Sequence, residues 1–258
     1  MLVPKIIWSL WLQNWDLAPD LVRACTASWS RLNPEWEVRR LTRAHVDQLF
    51  SNAALSAHLL APDIPPEVLS DVVRLELLAR YSGVWTDATT YCLAPLDEWL
   101  GSAVASGFFA FDRPGADRML STWFLAAVAS SPVILRWRDL SQVYWAGRTE
   151  RDAYFWLHYL FGKAYETDDK VRHIWDSTPK ISADGPHSFQ PYQETLLGPA
   201  TDMARSMVET APFPMLKLTH KLRPIVTDYV TLYQWLCDRE RDLKVANESV
   251  KAWAGVLT

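Results

Sequence analysis

The chain has 258 residues, long enough for one full-sized α/β domain, and its 49% apolar and 22% charged content matches a soluble globular protein. A net charge of −4 argues against a nucleic-acid partner, which needs a broad basic surface. Cys25, Cys92 and Cys237 are odd in number, widely spaced and fit no metal-binding pattern, so buried thiols in a reducing compartment are expected.

Residues 5–12 form a continuous apolar and aromatic run that ends at Gln13-Asn14, the pattern of a strand buried on both faces in a parallel sheet. A helix over 18–32 follows, with proline in its first turn, Asn33-Pro34 as its stop, and Leu21, Val22, Cys25, Trp29 and Leu32 as its buried stripe. Residues 36–41 alternate as a second strand, giving β-α-β and a Rossmann-like start. Shorter helices are expected over 43–50 and 53–60, and 61–66 is the turn into a longer helix.

Residues 65–100, PPEVLSDVVRLELLARYSGVWTDATTYCLAPLDEWL, concentrate the chemistry. Pro65-Pro66 sets the first turn of a helix, which Leu, Val, Arg, Glu and Ala carry on. Val68, Leu69, Val72, Val73, Leu75, Leu77, Leu78 and Ala79 leave it almost no solvent face, so it should be buried on most sides. Asp71 and Arg74 nevertheless stand in its middle, three apart and so neighbours on one face. Buried charges are costly unless they are paired or hold a ligand. Gly83 caps the helix, Val84-Trp85-Thr86 is a short buried strand, and Asp87 stands where that strand runs out. Open α/β sheets bind ligands beyond such strand ends.

Residues 70–89, SDVVRLELLARYSGVWTDAT, resemble the Ser-Asp-x-x-Arg … Gly-Gly-x-Tyr-x-Asp-x-Asp signature of glycosyltransferase family 32 and its relatives. The capsular polysaccharide synthesis proteins are the nearest of these. Glucosylating clostridial toxins and fungal mannosyltransferases are more distant. The matching residues are Asp71, Arg74, Gly83 and Asp87; Thr89 stands where the signature has its second Asp. The resemblance implies a GT-A type, Rossmann-like mixed sheet flanked by helices. It implies that Asp71 and Arg74 hold the ribose and sugar of a nucleotide-sugar donor. Asp87 and the position of Thr89 would hold ribose and a divalent metal, manganese or magnesium, on the diphosphate. Family members also open with a Pro-Lys-Ile-Ile-x-x-x-Trp strand whose last aromatic stacks on the base, and Trp11 matches it. A core tryptophan is the other reading of Trp11.

Further along, residues 89–92 return as a strand, 95–99 cap it, 107–111 form another strand, and Pro132 opens a helix to about Trp145. Residues 151–164 read as a helix with Tyr154, Leu157, His158 and Phe161 on one stripe. Asp152 in its first turn is either a helix-dipole partner or, by the resemblance, a catalytic acidic residue on the acceptor side. His158 is expected as a hydrogen-bonded core histidine. Residues 178–191 are a long loop, functional or mobile, that carries His187. Residues 214–220 look like a last strand. The basic run Lys217, His220, Lys221 and Arg223, which begins within it, is either a solvated turn or, by analogy with GT-A enzymes, a clamp in which His220 and Lys221 hold a diphosphate. Residues 228–258 form a helical appendage to a single domain spanning 1–258.

Transfer from a nucleotide sugar needs a grip on the nucleotide and a cation on the departing diphosphate, where charge develops. Trp11, Asp71, Arg74 and Asp87 can supply the grip; a metal on Asp87 and His220, or His220 with Lys221, can supply the cation. The resemblance implies retention of anomeric configuration and a UDP- or GDP-sugar donor, with a surface, capsular or lipid-linked glycan as acceptor. The other reading is a nucleotide-sugar-binding protein of the same fold with little turnover. No leader-like stretch precedes Val3, and no apolar run approaches the ~18 residues of a spanning helix. A cytoplasmic location is therefore expected, with at most peripheral contact at the inner face of a membrane.

Overall fold

A computed structural model of the chain describes residues 2–50, 64–223 and 225–244. The short helix expected over 53–60, and the end of the helix expected over 228–258, lie outside them. The strands are β1 (Ile6–Leu10), β2 (Glu37–Leu41), β3 (Gly83–Thr86), β4 (Thr90–Cys92), β5 (Phe108–Gly115), β6 (Arg118–Ala127) and β7 (Met215–Lys217). Five of them form the central sheet in the order β2-β1-β3-β6-β5, while β4 and β7 pair as a small antiparallel sheet. β1 is parallel to β2 and β3, and β6 is antiparallel to β3 and β5. The central sheet is therefore mixed and the class is α/β, as expected.

The helices are α1 (Asp20–Leu32), α2 (Arg43–Phe50), α3 (Pro66–Tyr81), α4 (Leu96–Ala103), α5 (Pro132–Trp145), α6 (Trp156–Thr167), α7 (Asp169–Ser177), α8 (Tyr192–Leu196), α9 (Asp202–Glu209) and α10 (Leu232–Lys244). Period-two alternation divides β1, β3 and β5 between two cores. Trp8, Trp85, Phe108 and Ala110 pack with α3, α5, α6 and α7. Ile7, Val84, Phe109 and Phe111 pack on the other side with Trp29 of α1 and Leu96 and Leu100 of α4. Both faces of the sheet are covered, which is why β1 and β3 read as unbroken apolar runs.

α3 is buried along most of its circumference, from Val68 to Leu78. It stops at Ser82, which has φ 59 and ψ −158, a conformation almost confined to glycine. Gly83 follows at φ 96, where an added Cβ would lie 2.7 Å from the Ile6 carbonyl oxygen. The turn thus brings β3 hard against β1.

Two boundaries near the site differ from expectation. α6 begins at Trp156, so Asp152 lies in the preceding turn and not in a first helical turn. There its carboxylate is taken by Arg148 and its N–H donates to the Tyr144 hydroxyl, which holds the segment off the helix. The strand expected over 214–220 shortens to β7, because β4 offers only three partners. His220 and Lys221 consequently sit in a loop. Residues 178–191 are a loop that is tied to both sheets: Asp112 N–H donates to Ile181 O and Lys217 N–H to Pro186 O, each at 2.8 Å. The three cysteines are buried and unbridged. No helix among the described residues is long and apolar enough to cross a membrane.

Candidate functional site

The chain leaves β1 toward β2 on one side and later returns to β3 on the other, so a topological switch point lies between the carboxyl ends of β1 and β3. Trp11 follows β1 and Asp87 follows β3 at that edge. β6 runs antiparallel to β3, so its early residues meet Asp87: the Asp87 N–H donates to Trp123 O at 2.8 Å. Thr90 N–H donates back to Asp87 O at 2.9 Å, closing a tight Asp87–Thr90 turn.

Arg74 is the centre of the cluster. It rises from α3 with only 6% of its side chain exposed and lies 3.2 Å from Asp71 and 3.3 Å from Asp87. It also donates to Thr122 O at 2.9 Å and to the Ser70 hydroxyl at 3.2 Å, and its guanidinium stacks over the Trp85 ring. The spacing of three between Asp71 and Arg74 does make them neighbours. Burial pushes the Asp71 carboxyl up to about 6; Arg74 opposes this and Asp87 adds to it. Burial also acts on Asp87, but Lys217 and Arg74 outweigh it and hold that carboxyl below the ordinary range. Trp85, at the aromatic position of the signature, donates its indole N–H to Asp87 Oδ1 at 3.1 Å.

Lys217 closes the cluster from the small sheet. β7 pairs Lys217 with Thr90, and its Nζ donates to the Thr89 hydroxyl at 2.6 Å and lies 3.2 Å from Asp87 Oδ2. The basic run that carries Lys217 reads in sequence as a diphosphate clamp made by His220 and Lys221, and the contacts of Lys217 with Thr89 and Asp87 are not legible there. The register of a three-residue strand across 128 residues is not a local signal.

Trp11 and His220 form a second pair at the same edge, edge-on with ring centres 5.1 Å apart. Trp11 is only partly buried, on a patch of Trp15, Ala18, Val22 and Ala88. Burial lowers the proton affinity of His220, and Lys221 and Lys217 lower it further. Among the described residues no hydrogen bond or ion pair joins His220 to Asp87. Nor do three His, Cys, Asp or Glu side chains come together there as a metal-holding group. Lys221 is exposed and acts electrostatically on Glu67, at the start of α3. Asp152 stays apart, 64% exposed and paired with Arg148 at 2.7 Å.

Two histidines border the cluster. His158 differs from expectation: its buried Nδ1 has no hydrogen-bond partner. Burial, Arg74 and Arg118 push it down to about 3, so it is neutral near pH 7. His187, on the loop between the sheets, packs edge-on against Trp123 and is pushed down to about 4 by burial and Lys217.

The family model of the capsular polysaccharide synthesis proteins matches residues 2–236. Over 163 residues the chain is 27% identical to the O-glycosyltransferase braB of Annulohypoxylon truncatum, covering 56% of this chain and 38% of that one. It is 26% identical to the glycosyltransferase afumC of Aspergillus fumigatus, covering 55% of this chain and 41% of the relative. The matched stretch therefore spans about two-fifths of these relatives' length. The apo-form glycosyltransferase GlyE of Streptococcus pneumoniae TIGR4 superposes with a TM-score of 0.51 at 9% identity, over 92% of this chain and 60% of GlyE. That likeness is one of fold, which is GT-A-like.

Proposed function

Because this chain belongs to the capsular polysaccharide synthesis protein family, we propose that it is a glycosyltransferase that moves a sugar from a UDP- or GDP-linked donor to a surface, capsular or lipid-linked glycan. The observation that carries this reading is the Asp71–Arg74–Asp87 cluster at the switch point of the sheet. The bond from the anomeric carbon to the donor phosphate breaks, and its electron pair leaves on the nucleoside diphosphate. The acceptor hydroxyl oxygen forms the new bond to that carbon and gives its proton to the departing diphosphate. In this reading retention is carried over from the family resemblance, and no protein nucleophile is named. Trp11 takes one face of the base, Asp71, Arg74 and Asp87 take the ribose and sugar, and His220 and Lys221 border the diphosphate.

A nucleotide-sugar-binding role with little or no turnover draws on Thr89, which replaces an acid of the signature. The two differ in slow donor hydrolysis. Incubation with UDP- and GDP-sugars without acceptor should release nucleoside diphosphate. Binding of a donor without any release would favour the second role.

A further inference from the structure

The resembled signature seats a divalent metal on the two acids of its Asp-x-Asp turn, and here only Asp87 is an acid. Resting on the donor-site reading above, we infer that the Lys217 ammonium is the built-in cation of this site. It stands between Asp87 and Thr89, and a nucleoside diphosphate binds there without a metal.

The donor set does not fit a divalent ion. Magnesium and manganese favour oxygen ligands in an octahedral shell, with carboxylates foremost. Thr89 offers a neutral hydroxyl, which already accepts from Lys217 at 2.6 Å. Asp87 Oδ1 accepts from Trp85 at 3.1 Å and from Arg74 at 3.3 Å, and Oδ2 lies 3.2 Å from Lys217. An ion on Oδ2 would stand beside an ammonium and be repelled by it.

Charge balance points the same way. Asp71 and Asp87 are matched by Arg74 and Lys217, so the cluster is neutral without an ion. A second acid at position 89 would leave it one charge short, which is the deficit a metal fills.

Lys217 is also held for the task. Its N–H donates to Pro186 O, its carbonyl accepts from the Tyr192 hydroxyl, and its neighbour Leu218 donates to Thr89 O, each at 2.8 Å. An ammonium has three donors. Two face Thr89 and Asp87, and the third has no partner among the described residues, leaving it for a phosphate oxygen. Its side chain is 18% exposed, enough to be reached from solvent.

The test uses the full chain and no acceptor. Manganese alone is titrated into the protein and followed by electron paramagnetic resonance. UDP and GDP are then added in EDTA or in manganese while the melting temperature is read. Expected are no stoichiometric manganese uptake and an equal nucleotide-induced rise in both media. Lys217→Met keeps the aliphatic stem and should weaken nucleotide binding roughly ten- to hundred-fold, the worth of a charged hydrogen bond. Lys217→Arg should recover most of the loss.

Manganese uptake by the wild type that Asp87→Asn abolishes would overturn the inference, as would a nucleotide shift lost in EDTA. So would a folded Lys217→Met protein that binds nucleotide as tightly as the wild type. Failure of both nucleotides to bind in either medium counts against the donor-site reading, and the manganese titration still decides between lysine and metal.

Discussion

At Trp11, binding and stability come apart. Its ring rests on one small patch and on His220, whereas ten of the thirteen tryptophans among the described residues are buried. Trp11→Ala should therefore weaken UDP or GDP binding by about 1–3 kcal/mol, the worth of base–aromatic stacking. Trp11→Phe, which keeps a π face, should recover most of it. Calorimetry and melting temperature on the same variants check this; a large loss of stability with unchanged affinity would place Trp11 in the core. His158 leads to a pH dependence. In the unfolded chain it takes a proton near its ordinary value of 6.5, but in the folded chain only near about 3. Between those values the unfolded chain holds more protons, so stability rises with pH and falls as acid is added. Asp71, raised from 3.8 to about 6, works the other way over part of the same window. The melting temperature of His158→Gln should therefore fall less than that of the wild type as pH drops from 6.5 toward 3. Equal slopes would show that burial of His158 is not felt.

Among the elements, α3 and β3 are the part most legible in the sequence. The apolar run of α3, its proline start and its Gly83 exit are local signals, and the three-residue spacing of Asp71 and Arg74 is a property of any helix. Ser82 is the weak link, since it takes a conformation that costs a non-glycine residue about 1–3 kcal/mol. Ser82→Gly should raise the melting temperature and leave donor hydrolysis unchanged, because Trp8 bonds only the Ser82 carbonyl. A lowered melting temperature would refute that strain. Less legible was an element start set by side chains of the preceding turn. α6 starts late because Arg148 and Tyr144 capture Asp152. α7 has a local signal that went unread: Asp168 accepts from the N–H groups of Lys170 and Val171 as an N-cap.

Across the whole molecule, α10 is bound to the body through charge as well as packing. Glu240, nearly fully buried, receives Arg31 at 2.8 Å and the Tyr91 hydroxyl at 2.5 Å, which ties α10 to α1 and β4. Burial and Glu240 push the Tyr91 hydroxyl well above its ordinary value, so it stays a donor. Glu240→Ala strands the partly buried Arg31 and the Tyr91 hydroxyl and should cost on the order of 3 kcal/mol in chemical denaturation. A loss under about 0.5 kcal/mol would show that the pair is replaced by water. Because β4 also carries the turn to Asp87 and pairs with the strand of Lys217, this distant network steadies the site. None of it was legible, since Arg31, Tyr91 and Glu240 are separated by long stretches of chain and look ordinary alone. The two-sided sheet, by contrast, was written in the apolar runs of β1 and β3.

Asp87 joins all of these scales, as the end of β3, the partner of Arg74 and Lys217, and the residue at the switch point. The most direct measurement is nucleoside diphosphate release from a panel of UDP- and GDP-sugars by the wild type and by Asp87→Asn. The wild type should hydrolyse at least one donor. The variant should keep its circular dichroism spectrum and lose about a hundred-fold or more of that rate, as when the groups that hold and orient the donor, here Asp87 with Arg74 and Lys217, are displaced. An Asp87→Asn protein with near-native turnover would contradict the assignment of the donor site.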